Sequence, residues 1–204
     1  MTDMECRIGY ILHKLKKEFN QPANTMNLST AQLTLRSALF LDLDHTLIRP
    51  KSGETFPKDA DDWEFMPKML NALWYDIHHT ERPIVIVTNQ GGVQAGYHTQ
   101  EEIEAKLTKV EAELVTFLRG NFEYKYPVEV YSYAAYADNY YRKPLPGMAY
   151  QAACEIGLDL SKSHMIGDME SDRQFAKNAG MSFQYVDSYL GNLSYTAPTR
   201  VRQG

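Results

Sequence analysis

The stretch FLDLDHTLI, Phe40 to Ile48, decides the reading of the chain. A run this rich in Phe, Leu and Ile is the signature of a strand covered on both faces, as in the interior of a parallel sheet. Yet it carries two aspartates, Asp42 and Asp44. Buried carboxylates are costly unless paired, hydrogen-bonded or bound to a cation. Period two predicts that Asp42 and Asp44 leave an extended chain on the same side. Carboxylates so close repel unless a cation lies between them or one holds a proton.

Working outward, Ser37 to Leu43 is the first predicted strand. "PIVIVTNQGG" is a second, breaking into a turn at Gly91-Gly92. "VEVYSYAA", "HMIGD" and "SFQYV" are three more. Between them, Met66 to His79, Glu101 to Leu118, "MAYQAACEIGL" and Ser171 to Asn178 have helical spacing. Ile103, Leu107, Val110 and Leu114 form one stripe of the second helix. Strands alternating with helices predict an α/β, Rossmann-like sandwich with a mostly parallel sheet. Upstream, Arg7 to Asn20 reads as an amphipathic helix, followed by a polar linker; the end of the chain is a polar tail.

With 44% apolar and 23% charged residues among 204, the composition is that of a globular domain. No run approaches the ~18 apolar residues of a membrane span, and Lys14, Lys16 and Lys17 interrupt any signal-peptide pattern. No membrane is expected as partner. The two cysteines, Cys6 and Cys154, form neither a disulfide framework nor a zinc site. A cytosolic location follows, or a nuclear one in a eukaryote. The net charge of −5 argues against a long duplex-binding surface but allows recognition of a strand end, which needs few phosphate contacts.

In an open parallel sheet, ligands bind beyond the carboxyl ends of the strands, and the polar groups cluster there. Strand one ends in Asp42 and Asp44, strand two in Thr88-Asn89, strand four in Gly167-Asp168 with Asp172 four further on. Arg142-Lys143-Pro144 precedes a helix. Acids alone select a hard cation, Mg²⁺ before others. Three acids, a metal, a lysine and hydroxyl and amide donors make a phosphoryl-transfer site.

D-x-D-x-T-L, a strand ending in T-N, a separate lysine and G-D-x-x-x-D, in this order, resemble the haloacid dehalogenase (HAD) superfamily of aspartate-nucleophile phosphatases. "DLDHTLIRPKSGETFPKDADDW", "VIVTNQGGV", "YRKPLPGM" and "IGDMESDRQFAKNAGM" resemble the polynucleotide 3′-phosphatase family, the phosphatase half of polynucleotide kinase 3′-phosphatases. The S-G-x-x-F-P and D-W elements of the first motif are particular to that family; the other motifs are shared with histidinol-phosphate and heptose-bisphosphate phosphatases. The resemblance implies a phosphatase domain over residues 38–190, with 1–37 as helical extension and linker and 191–204 as tail. It implies Asp42 as nucleophile and Asp44 as general acid and base. Mg²⁺ would be held by Asp42, the Asp44 main-chain carbonyl and Asp168. Thr88, Asn89, Arg142 and Lys143 would bind the phosphoryl group, and Asp172 would orient Lys143 or a metal-bound water. The substrate implied is a nucleic-acid 3′-phosphate end, DNA before RNA.

The resemblance has departures. His45 stands where the family has glycine, and no G-x-x-x-x-G-K-[ST] occurs, so a kinase or ligase would be a separate partner. The four-ligand Cys/His zinc loop of the heptose-bisphosphate relatives is also missing. Two rival functions stand beside the main one: a small-molecule phosphatase of the histidinol-phosphate or sugar-phosphate type, and a non-catalytic module that binds phosphate ends. About 43 residues separate Asp44 from Thr88 and about 53 separate Asn89 from Lys143, too few for a large cap domain. The site is therefore expected to be open, roofed at most by Arg49–Asp62. Trp63 and the Tyr136–Tyr141 segment are the expected contacts to a longer substrate.

Overall fold

The computed structural model describes residues 35–55, 57–59, 61–120 and 127–191. The Arg7–Asn20 helix, residues 21–34 of the linker and all but the first residue of the predicted tail lie outside them. The elements, in chain order, are β1 (Leu39–Leu41), β2 (Ile48–Arg49), β3 (Glu64–Phe65), α1 (Pro67–Thr80), β4 (Ile84–Asn89), α2 (Gly91–Gln94), α3 (Gln100–Arg119), β5 (Val130–Ala135), α4 (Gly147–Ile156), a 3₁₀ turn (Leu160–Lys162), β6 (His164–Gly167), α5 (Glu170–Ala179), β7 (Ser182–Tyr185) and α6 (Val186–Gly191).

Five strands form one parallel sheet in the order β5-β4-β1-β6-β7. Alternation along the strands divides the core between its two faces. Leu39, Leu41, Ile84 and Ile86 pack on one side with Leu73 of α1 and Leu107, Val110 and Leu114 of α3. Phe40, Val85, Val87 and Met165 pack on the other with Ala149 and Ala152 of α4 and Phe175 of α5. Every residue of β1 is fully buried, as its unbroken apolar run requires. Helix α3 starts at a reciprocal capping box, with the Thr99 side chain on the Glu102 N–H and the Glu102 side chain on the Thr99 N–H. Among the described residues no helix is long and apolar enough to cross a membrane, and no folded cap interrupts the sheet order.

Strand β1 is shorter than predicted. The chain turns at Leu43, whose carbonyl accepts from the N–H groups of both Leu47 and Ile48, and His45 takes the left-handed conformation at φ 60°. Asp42 and Asp44 therefore do not share an extended segment. Local hydrogen bonds override the period-two expectation, and the two carboxylates go to different partners.

The turn feeds β2, which pairs antiparallel with β3 as a small ribbon. The Arg49–Asp62 loop closes between them on Asp62, whose carboxylate accepts from the Ser52 N–H (2.8 Å), the Ser52 hydroxyl (2.6 Å) and the Lys58 N–H (2.9 Å). Lys109 of α3 ties the loop to the body through Asp61 at 2.5 Å. Trp63, an expected substrate contact, is instead only 4% exposed, packed edge-on against Phe65 with the ammonium groups of Lys51 and Lys109 within 6 Å of its ring. Its large apolar surface anchors the ribbon and is not free to stack on a base.

The Ser52 hydroxyl and the Lys58 and Ser52 amides hold the Asp62 carboxyl at about 2, below its ordinary value of 3.8. A depressed folded pKa means the stabilisation is complete above the ordinary value and is lost as pH falls through about 2. In an acid titration followed by NMR, the Ser52 and Lys58 amide resonances should shift across that window. In Asp62→Ala both amides should exchange faster with solvent at neutral pH, while Val85 in β4 keeps its protection.

Candidate active site

The carboxyl ends of β1, β4 and β6, with the β5–α4 connection, converge on one buried lysine. Lys143 is 4% exposed. Its Nζ lies 2.5 Å from Asp42 Oδ1 and 2.7 Å from Asp172 Oδ1, and donates to the Val87 carbonyl at 2.9 Å. The ammonium thus has two hydrogen-bond acceptors, Asp42 and the Val87 carbonyl, and a second carboxylate, Asp172, as ion-pair partner, which lets a lysine stay charged away from water. Burial opposes the ammonium, but Asp42 and Asp172 outweigh it and hold its pKa above the ordinary lysine value. Burial pushes the Asp42 carboxyl up, with Lys143 pulling the other way.

Lys143 is aimed by its backbone. The Asn89 side chain donates from Nδ2 to the Lys143 carbonyl and accepts at Oδ1 from the Lys143 N–H, both at 2.9 Å. Asn89 was expected on the phosphoryl group; here Oδ1 and one of the two Nδ2 protons go to the lysine loop. Arg142, also expected on phosphate, pairs through Nε with Asp138 at 2.9 Å, and its guanidinium lies against Gly91. A Cβ on Gly91 would approach Nη1 to 3.1 Å, so the glycine lets the guanidinium lie close over the start of α2. Arg142 Nη1 is buried with no hydrogen-bond partner among the described residues.

Asp172 serves two elements. Oδ1 faces Lys143, and Oδ2 accepts from the Met169 N–H at 3.0 Å in the first turn of α5. This approach depends on Gly167, where a Cβ would lie 2.5 Å from the Asp172 side chain. Burial, then Asp172, pushes the Asp168 carboxyl up. One oxygen each from Asp42, Asp168 and Asp172 lie within 4.8 Å of one another. Three carboxylates against one ammonium leave excess negative charge, and an all-oxygen set of this size fits a hard divalent cation. Asp172, expected only beside the metal site, is a member of this group. The Asp44 carboxylate is not, so Asp44 would reach a metal only through its main-chain carbonyl.

Asp44 is held elsewhere. Gln90 Nε2 donates to Asp44 Oδ2 (3.0 Å) and to Thr88 Oγ1 (2.8 Å), and Lys106 Nζ lies 3.4 Å from Asp44 Oδ1. Thr88 is buried, and its own proton remains to be donated. Gln90 and Lys106 are the site residues the sequence reading missed. The signal for Lys106 was present: it falls on the inward stripe of α3 with Ile103, Leu107 and Val110, and is buried with them. A lysine at such a position needs an acid beneath it.

Of the tyrosines of β5, Tyr131 donates to Glu129, just before the strand, and Tyr133 to Glu155 of α4. Tyr140 and Tyr141 are each 44% exposed.

A family model described as polynucleotide kinase 3 phosphatase matches residues 37–190. The bifunctional polynucleotide phosphatase/kinase of Schizosaccharomyces pombe is 31% identical over 176 residues, 77% of this chain and 38% of that protein. The D-glycero-beta-D-manno-heptose-1,7-bisphosphate 7-phosphatase of Mesorhizobium japonicum is 32% identical over 152 residues, 71% of this chain and 66% of that protein. The chain thus spans less than two thirds of the length of either relative. Among solved structures, a HAD-like phosphatase from Mesorhizobium loti superposes with a TM-score of 0.58 at 28% identity, covering 77% of this chain and 83% of that one.

Two predictions follow from the geometry. Asn89→Ala removes both hydrogen bonds to the Lys143 main chain, so it should lose about 1–3 kcal/mol in denaturant unfolding and most phosphatase turnover, without change at the Ser52 and Lys58 amides bound to Asp62. Chelation with EDTA should silence the protein and Mg²⁺ restore it, and Asp168→Ala should raise the Mg²⁺ concentration needed for half-maximal rate. Zn²⁺ restoring activity where Mg²⁺ does not would contradict the all-oxygen site.

Proposed function

The chain belongs to the polynucleotide kinase 3 phosphatase family, and from that footing we propose that it removes 3′-phosphate from nucleic-acid ends, DNA in preference to RNA, through an aspartyl-phosphate on Asp42. HAD-type phosphatase chemistry is common to the family and to the relatives on either side of it; the proposal concerns the substrate and the residue roles.

The supporting observation is the Arg49–Asp62 loop beside an uncapped site. Ser52 and Asp62, which open the S-G-x-x-F-P and D-W elements of the long first motif, hydrogen-bond to each other, and Trp63 anchors the ribbon behind them. The loop is therefore a built element beside the Asp44 turn. With no folded domain over the strand ends among the described residues, a chain end can enter while the rest of the polymer stays outside. Binding energy from remote nucleotides can then be used at the reacting phosphate.

In the reaction, an Asp42 oxygen attacks phosphorus, the bond to the 3′-oxygen breaks, and the Asp44 proton moves to that oxygen to leave a 3′-hydroxyl. Water next attacks the aspartyl-phosphate, gives its proton to Asp44, and phosphate leaves with Asp42 restored. Lys143 neutralises Asp42 and the incoming phosphoryl oxygens. The Thr88 hydroxyl donates to a phosphoryl oxygen, and Arg142 Nη1 offers a second charged donor. Asn89 acts through the lysine loop. A Mg²⁺ held by Asp42, Asp168 and the Asp44 carbonyl would supply the remaining positive charge for the phosphoryl oxygens.

The heptose-bisphosphate relative supports a second reading, a small-molecule phosphatase. A substrate series separates the two. At fixed ionic strength, kcat/KM should rise as a 3′-phosphate oligonucleotide lengthens from one nucleotide to several. Histidinol phosphate or heptose 1,7-bisphosphate cleaved as efficiently as the longest oligonucleotide would select the second reading.

A further inference from the structure

We propose that Lys106 is a positioning residue for proton transfer. Together with Gln90, it holds the Asp44 carboxylate turned toward the leaving oxygen of the substrate. The inference rests on the assignment of Asp44 as general acid and goes beyond it.

Lys106 lies on the buried stripe of α3, with a side chain only 8% exposed, against 43% for Asp44. The order is therefore lysine, carboxylate, solvent: the ammonium sits behind the acid. A lysine that served to gather phosphate from solution would stand in front. Lys106 reaches Asp44 Oδ1 at 3.4 Å, while Gln90 holds Oδ2 at 3.0 Å. The two oxygens are thus gripped from two directions, by groups on two separate elements. The grip is needed because Asp44 lies outside the five-stranded sheet, in the turn that passes on through the left-handed His45, with only an isolated main-chain bridge to Ile48 beside it. Gln90 also bonds Thr88 Oγ1, which links the acid to the hydroxyl assigned to the phosphoryl group. Lys143 plays the corresponding part for Asp42. Each of the two aspartates therefore has its own buried lysine, and the two lysines come from opposite sides of the sheet end.

The test is leaving-group dependence. A general acid matters when the leaving oxygen is a basic alkoxide and hardly at all when it is a stabilised aryloxide; removing one typically costs ~10²–10⁴-fold. kcat/KM for p-nitrophenyl phosphate is compared with that for an alkyl phosphate, using both a 3′-phosphate oligonucleotide and glycerol 2-phosphate. Asp44→Asn serves as the benchmark. Lys106→Met keeps length and helix propensity while removing the charge, and should lower kcat/KM for alkyl phosphate by roughly 10–100-fold with little change for the aryl ester. Lys106→Arg should recover part of the loss. Gln90→Met, a second variant independent of the α3 core, should show the same contrast more weakly. Equal losses on both ester types would overturn the proposal and make Lys106 a phosphate-binding or structural residue. So would unchanged kcat/KM on both. If Asp44→Asn itself shows no contrast, the acid assignment falls and the inference with it. Rejection of the oligonucleotide alone, with the contrast intact on glycerol 2-phosphate, would count against the substrate assignment and for Lys106.

Discussion

The Lys143 ammonium between Asp42 and Asp172 is the contact on which the site depends. It brings the ends of three sheet segments to one point: β1 through Asp42, β4 through the Val87 carbonyl, and β6 with α5 through Asp172. A carboxylate at the end of a fully buried strand would otherwise be neutralised by its surroundings. The lysine makes it tolerable, and Asn89 makes the lysine possible by fixing its main chain from the end of β4. Fold and chemistry share these bonds, so the site cannot be loosened without loosening the seam between the strand ends and the β5–α4 connection.

Around that contact the work is divided. One side of the strand ends holds the Asp42–Lys143–Asp172 group with Asp168 and the candidate cation site. The other holds Asp44 with Lys106 and Gln90. The Leu43–Ile48 turn separates the two carboxylates that stand two apart in sequence, giving one a buried place and the other a half-exposed one. That separation suits a pair proposed to act as nucleophile and as proton donor, since the donor must meet a leaving group that departs toward solvent.

Much of this was legible in the sequence. The apolar run of β1, the β-branched run of β4 and the stripe of α3 are long enough for period and burial to show, and they fix the α/β order. Asp42, Lys143 and Asp168 were legible because strand ends collect the chemistry of a parallel sheet. The turn at Leu43 was not, because it is made by main-chain hydrogen bonds that leave no side-chain pattern. The β2–β3 ribbon has two residues per strand, too few for a period. Trp63 looked like a surface aromatic because its burial comes from a loop folding back on Asp62. Lys106 was hidden by reading its stripe only for apolar residues. The bond from Asn89 to the lysine loop was not legible, since a side chain that holds a distant backbone cannot be told from one that holds a ligand until the two segments are placed together.

The measurement that tests the account most directly is chemical trapping of the enzyme during turnover. Borohydride reduces an aspartyl-phosphate to homoserine, and peptide mass spectrometry locates the residue changed. The account predicts a single homoserine at position 42, formed only when substrate is present. A reduced residue at any other position, or none under conditions where substrate is being consumed, would contradict it.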